Sequence, residues 1–304
     1  MDQSIFPWRL GIDYSFSNGI KGGHLSNDGL TESFEKILVP THRHDVEMDL
    51  KRVSVSLLKS INEEWDIGLM VPYYWKSQEA SISFLEPFSS IQKEYAERSG
   101  YIHHRSENYE GIGDIELLSG YKRRDLIKTG SILRVGFGLA LPTGETEDDP
   151  WELGDMGEKH LHIQFGNGTL DPIFNFYYGF PLFEKIALGL YAKTRLPLYH
   201  NNKGYRGAVE LAVSPMINWS VTEKVSASAG IVLERYGRSD WEMSGTDPNS
   251  GFFHASASLN LSYAASEKLD IGLGITKPFH QSFFGDGENF DIAPSVSFSI
   301  RKSF

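Results

Sequence analysis

Apolar and polar residues alternate strictly along the last fifteen residues of the chain, Phe290 to Phe304. Phe298 and Ile300 would face one side and Ser299 and Arg301 the other, because successive side chains of an extended strand point in opposite directions. The pattern predicts a strand with one apolar face and one polar face. We expect the apolar face to contact lipid.

The same alternation recurs through the chain and predicts twelve strands. Short turns connect most of them in pairs, whereas the connections at the other end, such as Ser17 to Leu50 and Lys76 to Ile112, are long. This asymmetry is typical of outer-membrane barrels. The predicted strands are Phe6 to Phe16, Lys51 to Ile61, Trp65 to Trp75, Gly113 to Lys122, Ser131 to Leu141, Pro172 to Phe180, Ile186 to Leu198, Gly207 to Trp219, Val225 to Tyr236, Phe253 to Ala264, Leu269 to Thr276 and Phe290 to Phe304.

The fold class that follows is all-β: one transmembrane antiparallel up-and-down barrel of twelve strands, forming a single domain over residues 1–304. The turns would be periplasmic and short, and the long loops extracellular. Both termini would lie on the periplasmic side, because the number of strands is even. The last strand would pair with the first, so that no strand edge is left unpaired in lipid.

A soluble β-sandwich would also contain many alternating strands. The outward faces favour the barrel, because they are largely aliphatic in mid-strand and aromatic near the ends, as at the two interfaces of a membrane. The short-turn rim would carry Trp8, Trp65, Tyr121, Tyr178, Trp219 and Tyr263, and the other rim Phe16, Trp75, Phe174 and Phe253.

Composition excludes several other classes of protein. The 304 residues are 40% hydrophobic, yet no run of eighteen apolar residues exists, which excludes a conventional transmembrane helix. The absence of cysteine excludes disulfides and thiolate metal sites, and the net charge of -11 argues against a nucleic-acid partner. We expect a monomer in the bacterial outer membrane whose signal peptide has been removed, with membrane lipid, lipopolysaccharide and a small-molecule solute as its partners.

Two outer loops are predicted to contain short helices. In residues 84–98, Pro87 suits a first helical turn and an apolar stripe follows at helical spacing. A second helix is predicted over Thr31 to Leu38. These helices would either pack over the outer mouth or plug the lumen. The residues of the predicted plug are Phe84, Phe88, Ile91 and Tyr95.

An ordered series of motifs supplies a resemblance. Phe84-Leu85-Glu86 is followed by Gly111-Ile112-Gly113-Asp114, by Leu141-Pro142-Thr143-Gly144-Glu145 and by Gly166-Asn167-Gly168-Thr169-Leu170-Asp171. The series resembles a family of bacterial outer-membrane barrels known mainly as a domain of unknown function, with relatives labelled as transporters of the MetA pathway of phenol degradation. The resemblance implies a barrel and, for those relatives, the passage of small hydrophobic or aromatic compounds. It transfers no catalytic residue.

Alternation places side chains of both charges on the inner face of the barrel. They would form either a closed, salt-bridged interior or a narrow pore with a charged wall. We favour a channel for passive diffusion of small solutes, because inward glycines at 136, 138, 189, 272 and 274 would remove bulk. The predicted lumen-lining residues are Arg9, Asp13, Arg52, Asp66, Asp114, Glu116, Arg134, Lys193, Arg195, Glu210, Glu234, His254, Asn260, Asp270, Asp291 and Arg301.

An outer-membrane lipid hydrolase is the alternative. His24-Leu25-Ser26-Asn27 resembles the His-x-Ser-Asn run of outer-membrane phospholipases and lipid A deacylases, in which a base and a nucleophile two residues apart share one strand face. Here the run is predicted to lie in a loop.

Histidine pairs in the outer loops are candidate ligands for a divalent cation, and no other cofactor is expected. Imidazoles bind Zn²⁺ or Cu²⁺, and the acidic residues before the last pair could bind Ca²⁺. The pairs are His42 and His44, His103 and His104, and His160 and His162.

Overall fold

Twelve antiparallel strands close into a barrel in the computed structural model, which describes residues 7–160, 164–285 and 289–304, with only the backbone of His103 and Asn289. Each strand pairs with its neighbour in the chain, so the up-and-down topology is confirmed. The strands are β1 (Trp8–Leu30), β2 (Lys36–Ser60), β3 (Trp65–Phe84), β4 (Glu107–Ile112 and Ile115–Arg124), β5 (Ile132–Leu141), β6 (Asp171–Phe183), β7 (Ile186–Arg195), β8 (Glu210–Ser220), β9 (Val225–Tyr236), β10 (Phe252–Ser266), β11 (Leu269–Phe283) and β12 (Asn289–Asp291 and Ser295–Ser303).

The barrel closes where β12 pairs with β1. Ile300 lies opposite Ile12, and at the rim the backbone N–H groups of Trp8 and Phe304 donate to each other's carbonyl oxygens at 3.1 and 3.0 Å. The predicted role of the C-terminal segment as the closing strand is therefore confirmed. The two ends of the described chain meet at the short-turn rim.

Two strands are interrupted, and other hydrogen bonds restore the contacts of the wall there. The backbone N–H of Gly113, between the segments of β4, donates to the Pro72 carbonyl at 3.0 Å. Between the segments of β12, the Ile292 N–H donates to the side chain of Gln281 at 2.9 Å. The Ser17 hydroxyl donates to the Ala293 carbonyl at 3.2 Å.

The outer face of the barrel is an apolar band bordered by aromatic rings. Mid-strand residues such as Leu259 are exposed on the protein surface. At the short-turn rim the rings of Trp65 and Tyr121 lie 5.1 Å apart, and towards the other rim those of Tyr73 and Trp75 lie 4.7 Å apart. This distribution is that of a barrel embedded in lipid. Within the described part of the chain, no helix is long and apolar enough to cross a membrane.

The first hairpin is much longer than predicted. β1 has 23 residues and β2 has 25, so most of the expected loop between Ser17 and Leu50 is strand. The helix predicted over Thr31 to Leu38 is wrong. A turn stands there, in which the Phe34 N–H donates to the Thr31 carbonyl at 3.1 Å, and β2 has already begun at Lys36.

Packing explains the extra strand length. Beyond the barrel wall, the hairpin buries an apolar face against a helix, α1 (Ser90–His103). This contact gives a water-exposed sheet a core of its own, which favours strand alternation over the local helical spacing. The apolar residues buried in the hairpin and in α1 are Ile20, Leu30, Val39, Val46, Ala96 and Ile102.

α1 confirms that this loop contains a helix, but its boundary and buried face differ from the prediction. Ser89 caps the helix and exchanges hydrogen bonds with Gln92, so Pro87 lies before the cap and not in the first turn. Ile91, expected on the apolar stripe, is 46% exposed. The buried face is made of later residues, Ala96, Ser99 and Ile102.

A second helix and a small sheet lie outside the predicted elements. The helix, α2 (Pro150–Asp155), is capped by Asp149, which accepts from the Trp151 N–H at 3.0 Å. The Ser244 hydroxyl donates to the same carboxylate at 2.6 Å and so ties α2 to a three-stranded sheet. The strands of this sheet are Tyr205–Arg206, Asp240–Trp241 and Gly245–Thr246.

The apolar band predicts an asymmetric response to charge on β10. Leu259→Arg should lower the free energy of unfolding in lipid vesicles by about 2–4 kcal/mol, the cost of an arginine on the lipid face near the bilayer midplane. Ser258→Arg, one residue away on the inner face, should cost much less. Equilibrium denaturant unfolding measures both, and equal losses would contradict this orientation of the wall.

Candidate functional site

A cavity of about 1070 Å³ lies inside the barrel. Its wall combines charged side chains with aromatic rings. Those predicted from alternation are Arg52, Glu116, Lys193, Arg195, Glu210 and Glu234, and the rings include Tyr74, Tyr191, Tyr236, Phe165 and Phe252. Sequence reasoning missed the tyrosines, although Tyr191 and Tyr236 each stand two residues from a charged position assigned to the inner face.

Arg195 on β7 joins two buried carboxylates of the wall. Its Nε donates to Asp171 on β6 at 2.8 Å, and its Nη2 contacts Asp114, which lies between the segments of β4. Both carboxylates are essentially inaccessible, with side chains 0% and 1% exposed. Two negative charges therefore share one guanidinium. We call this group of Arg195, Asp114 and Asp171 the Arg195 clamp.

Three of the four motifs behind the family resemblance converge on this clamp. Asp114 accepts from the backbone N–H groups of Gly144 at 3.0 Å and Asn167 at 2.9 Å. Asp171 accepts from the Thr169 hydroxyl at 2.6 Å and from the Asn167 amide at 2.8 Å. Three motifs that are distant in sequence thus tie β4, the loop of residues 142–170 and β6 together. Their role here is structural.

Glycine is required where the motif backbones meet. A Cβ on Gly144 would lie 2.6 Å from the Gly166 nitrogen, and a Cβ on Gly166 would collide with the Asp114 carboxylate. Larger residues would separate the loop from the clamp.

The other ion pairs of the inner face follow the wall. Lys193 donates to both oxygens of Glu116 at 2.7 and 2.8 Å, and Arg134 contacts Asp66 at 2.5 Å. Arg301 pairs with Asp13 at 3.0 Å, and the His254 ring is hydrogen-bonded to Glu234 at 2.6 Å. Within the described residues, these pairs and the Arg195 clamp join strands no more than three apart around the barrel. The charges therefore neutralise one another along the wall.

The inward glycines do not create free space, contrary to the argument from sequence. A Cβ on Gly136 would collide with Asn175, and one on Gly189 would lie 3.1 Å from Met216. On the opposite wall, Gly272 faces Ser299, and Gly274 faces Asn260 and Ser297. Neighbouring side chains occupy the volume that each glycine leaves. The cavity exists instead because ion pairs hold larger inward side chains against the wall.

The outer end of the cavity is lined by loops. Pro150 of α2, Phe165 and Trp241 contribute apolar surface, and Tyr205 and Asp247 contribute polar groups. Burial raises the pKa of Tyr205 to about 12 and also raises the pKa of Asp247, since desolvation disfavours their charged forms. No residue of α1 is among those that line the cavity in the described chain.

The predicted plug residues pack away from that cavity. Phe84 and Phe88 have ring centroids 4.7 Å apart, and Phe88 meets the His42 ring at 5.9 Å. Tyr95 lies against Gly29 of the hairpin. The segment forms the contact between α1 and the hairpin, while α2, the small sheet and the 142–170 loop border the lumen.

Four other predicted lumen residues lie outside the cavity. Arg9, Asn260, Asp270 and Asp291 are all exposed. The Asn260 amide donates to Ser228 at 3.4 Å, and Asp291 lies opposite Lys21 where β12 begins. None of these four lines the described cavity.

Histidines from three elements meet where α1 packs on the hairpin. His24 of β1 lies opposite His44 of β2, with ring centroids 5.2 Å apart, and His104 at the end of α1 meets them at 5.2 and 5.5 Å. The prediction from sequence paired histidines that are close together in the chain, and so it did not include His24 among the candidate metal ligands. A contact between distant segments has no local sequence signal.

The other predicted metal ligands do not belong to this group of three. The His42 ring packs beside His44, and its Nδ1 lies 3.1 Å from the Pro40 carbonyl. His160 is buried in the 142–170 loop, and desolvation lowers its pKa. The side chain of His103 and the whole of His162 lie outside the described residues.

His24 and Ser26 lie on strand β1, not in a loop as the sequence predicted. They stand opposite His44 and His42 respectively, and so share one face of the hairpin. The Ser26 hydroxyl accepts from the Asp28 N–H at 3.0 Å, as in a local turn. The imidazole of His24 stacks on His44.

Comparison with solved structures supports the fold. The chain is similar to an outer membrane channel from Pseudomonas putida F1, with 13% sequence identity, a TM-score of 0.60 and coverage of 98% of this chain and 96% of that one. More distant similarity reaches the toluene transporter TodX of P. putida, with 9% identity, a TM-score of 0.44 and coverage of 98% and 89%. No family model matches the sequence, and no curated protein matches it significantly. The finer resemblance to MetA-pathway transporters stays a prediction.

The Arg195 clamp should dominate the stability of the wall. Arg195→Met should lower the free energy of unfolding by about 3–5 kcal/mol, because two buried carboxylates lose their cation. Arg301→Met removes a similar pair, but its side chains are 48% and 42% exposed. It should cost only about 0–1 kcal/mol. Denaturant unfolding of both variants in detergent measures the difference, and equal costs would refute the clamp.

Proposed function

We propose that this protein is an outer-membrane channel for passive diffusion of small solutes, including hydrophobic or aromatic compounds. The observation that carries the proposal is the cavity of about 1070 Å³ inside the barrel. A purely structural interior would bring side chains together across the barrel and fill this volume.

The arrangement of charge supports a pore. Lys193 reaches Glu116, and Arg195 reaches Asp114 and Asp171, so long side chains are held against the β4 to β7 wall. Small residues such as Ser15, Ser214 and Ser295 line other parts of the cavity. Ion pairs that follow the wall keep the interior polar without bridging it.

The aromatic lining supports solutes that carry an aromatic ring. Tyr74, Tyr191 and Tyr236 present rings beside the charged groups, so one solute could stack on a ring while its polar part contacts the wall. The similar barrel from P. putida F1 is described as an outer membrane channel, in agreement with this proposal. We expect the apolar band to contact membrane lipid and lipopolysaccharide, with a single chain forming the channel.

Conductance tests the proposal. The purified protein in planar lipid bilayers should carry ion current, and Ser214→Trp should reduce it severalfold, because the indole would enter the cavity. Val213→Trp places the same side chain on the lipid face and should leave the conductance unchanged. A wild-type barrel that conducts no ions and admits no small solute in liposome swelling would instead be a closed structural barrel.

The lipid-hydrolase alternative rests on the shared strand face of His24 and Ser26. It requires phospholipid or lipid A hydrolysis by the purified protein, lost in Ser26→Ala and retained in Ser33→Ala at the hairpin tip. We expect no hydrolysis, because the imidazole of His24 stacks on His44 and the Asp28 N–H holds the Ser26 hydroxyl in a local turn at 3.0 Å. Turnover that depends on Ser26 would contradict the channel as the sole function.

A further inference from the structure

We propose that His24, His44 and His104 bind a divalent transition-metal ion of the Zn²⁺ class. Each residue offers one imidazole nitrogen, and these three atoms all lie within 4.8 Å of one another. The site lies in the part of the protein that projects beyond the barrel. It is separate from the lumen and goes beyond the proposed channel.

The ligand set has the chemistry of a metal site. Imidazole nitrogen is a preferred ligand of Zn²⁺, Cu²⁺ and Ni²⁺, and three histidines leave a fourth position for water or another ligand. Tetrahedral coordination with Zn–N bonds of about 2.0–2.1 Å requires nitrogen atoms about 3.3 Å apart. Rotation of the imidazole rings, which belong to partly exposed His24 and His104 and buried His44, would close the remaining gap.

The surrounding packing holds the three histidines together. His24 and His44 lie directly opposite each other on β1 and β2, so the strand register fixes their spacing. Gly100 of α1 faces His44, where a Cβ would lie 3.2 Å from the ring carbon Cε1. A larger residue would push the helix away from the hairpin, and with it His104.

The end of α1 favours a cation. The backbone N–H of His104 donates to the Gly100 carbonyl at 2.6 Å, so His104 stands at the C-terminal end of the helix. The carbonyl groups there carry the negative end of the helix dipole. A bound cation would therefore gain from the helix as well as from the imidazoles.

The consequence of binding would be mechanical. Two ligands come from the hairpin and the third from α1, so the ion would cross-link two elements that otherwise meet through apolar contacts and a hydrogen bond from Arg98 to the Leu30 carbonyl. It would fix the position of the segment between β3 and β4 above the barrel.

Titration with Zn²⁺ tests the site. The tag-free, chelator-treated full chain in detergent should bind one Zn²⁺ per chain by calorimetry, and X-ray absorption should show nitrogen ligands at about 2.0–2.1 Å. His24→Ala and His104→Ala should each weaken binding by about 100-fold or more, and Zn²⁺ should raise the melting temperature of the wild type but not of these two variants. These two residues are preferred to buried His44, whose loss could disturb folding.

His280→Ala is the matched control, because His280 is an exposed histidine of β11 outside the cluster. It should bind Zn²⁺ as the wild type does. The proposal is overturned if the wild type binds no Zn²⁺, or if the His24→Ala/His104→Ala double variant binds it with unchanged affinity while circular dichroism confirms its β content. Conductance is independent of this outcome, so the metal site and the channel can fail separately.

Discussion

The barrel depends on one constraint, that a backbone N–H or C=O group in lipid must find its partner within the protein. β12 satisfies it by pairing with β1 and β11 at once. Where β4 and β12 are interrupted, the Pro72 carbonyl and the side chains of Gln281 and Ser17 supply replacement partners. The wall can therefore tolerate irregular segments, and it is at one of these, beside Asp114, that the densest polar network of the lumen is built.

That network links folding to the shape of the interior. A salt bridge removed from water is costly unless every group is satisfied, and the two carboxylates of the Arg195 clamp receive hydrogen bonds from Gly144, Asn167 and Thr169 as well as from arginine. Because the guanidinium is held against the wall, it lines the cavity without reaching across it. The same interactions that secure the 142–170 loop thus keep space open inside the barrel.

The sequence predicts the membrane-embedded part well and the rest poorly, for a physical reason. Lipid on one side and water on the other impose period-two alternation, so strand boundaries such as Val225 to Tyr236 could be predicted directly. Outside the membrane, the hairpin around Leu30 and Val39 is stabilised by contact with α1, a distant segment. The alternation of side chains along each strand predicts which residues face inward. Which side chains fill the space beside Gly136, however, depends on the neighbouring strands. The start of α2 did have a local signal, Asp149 before Pro150.

The wall of the barrel is far from uniform in height. β2 has 25 residues and β5 has 10, which at about 3.3 Å per residue and a tilt of about 40° correspond to roughly 60 Å and 25 Å along the barrel axis. The shorter strand matches the apolar thickness of a membrane. The additional length of β2 therefore extends into the external medium on one side of the barrel only. Molecules that arrive from outside would meet this extension on one side of the mouth and would have unobstructed access only from the other.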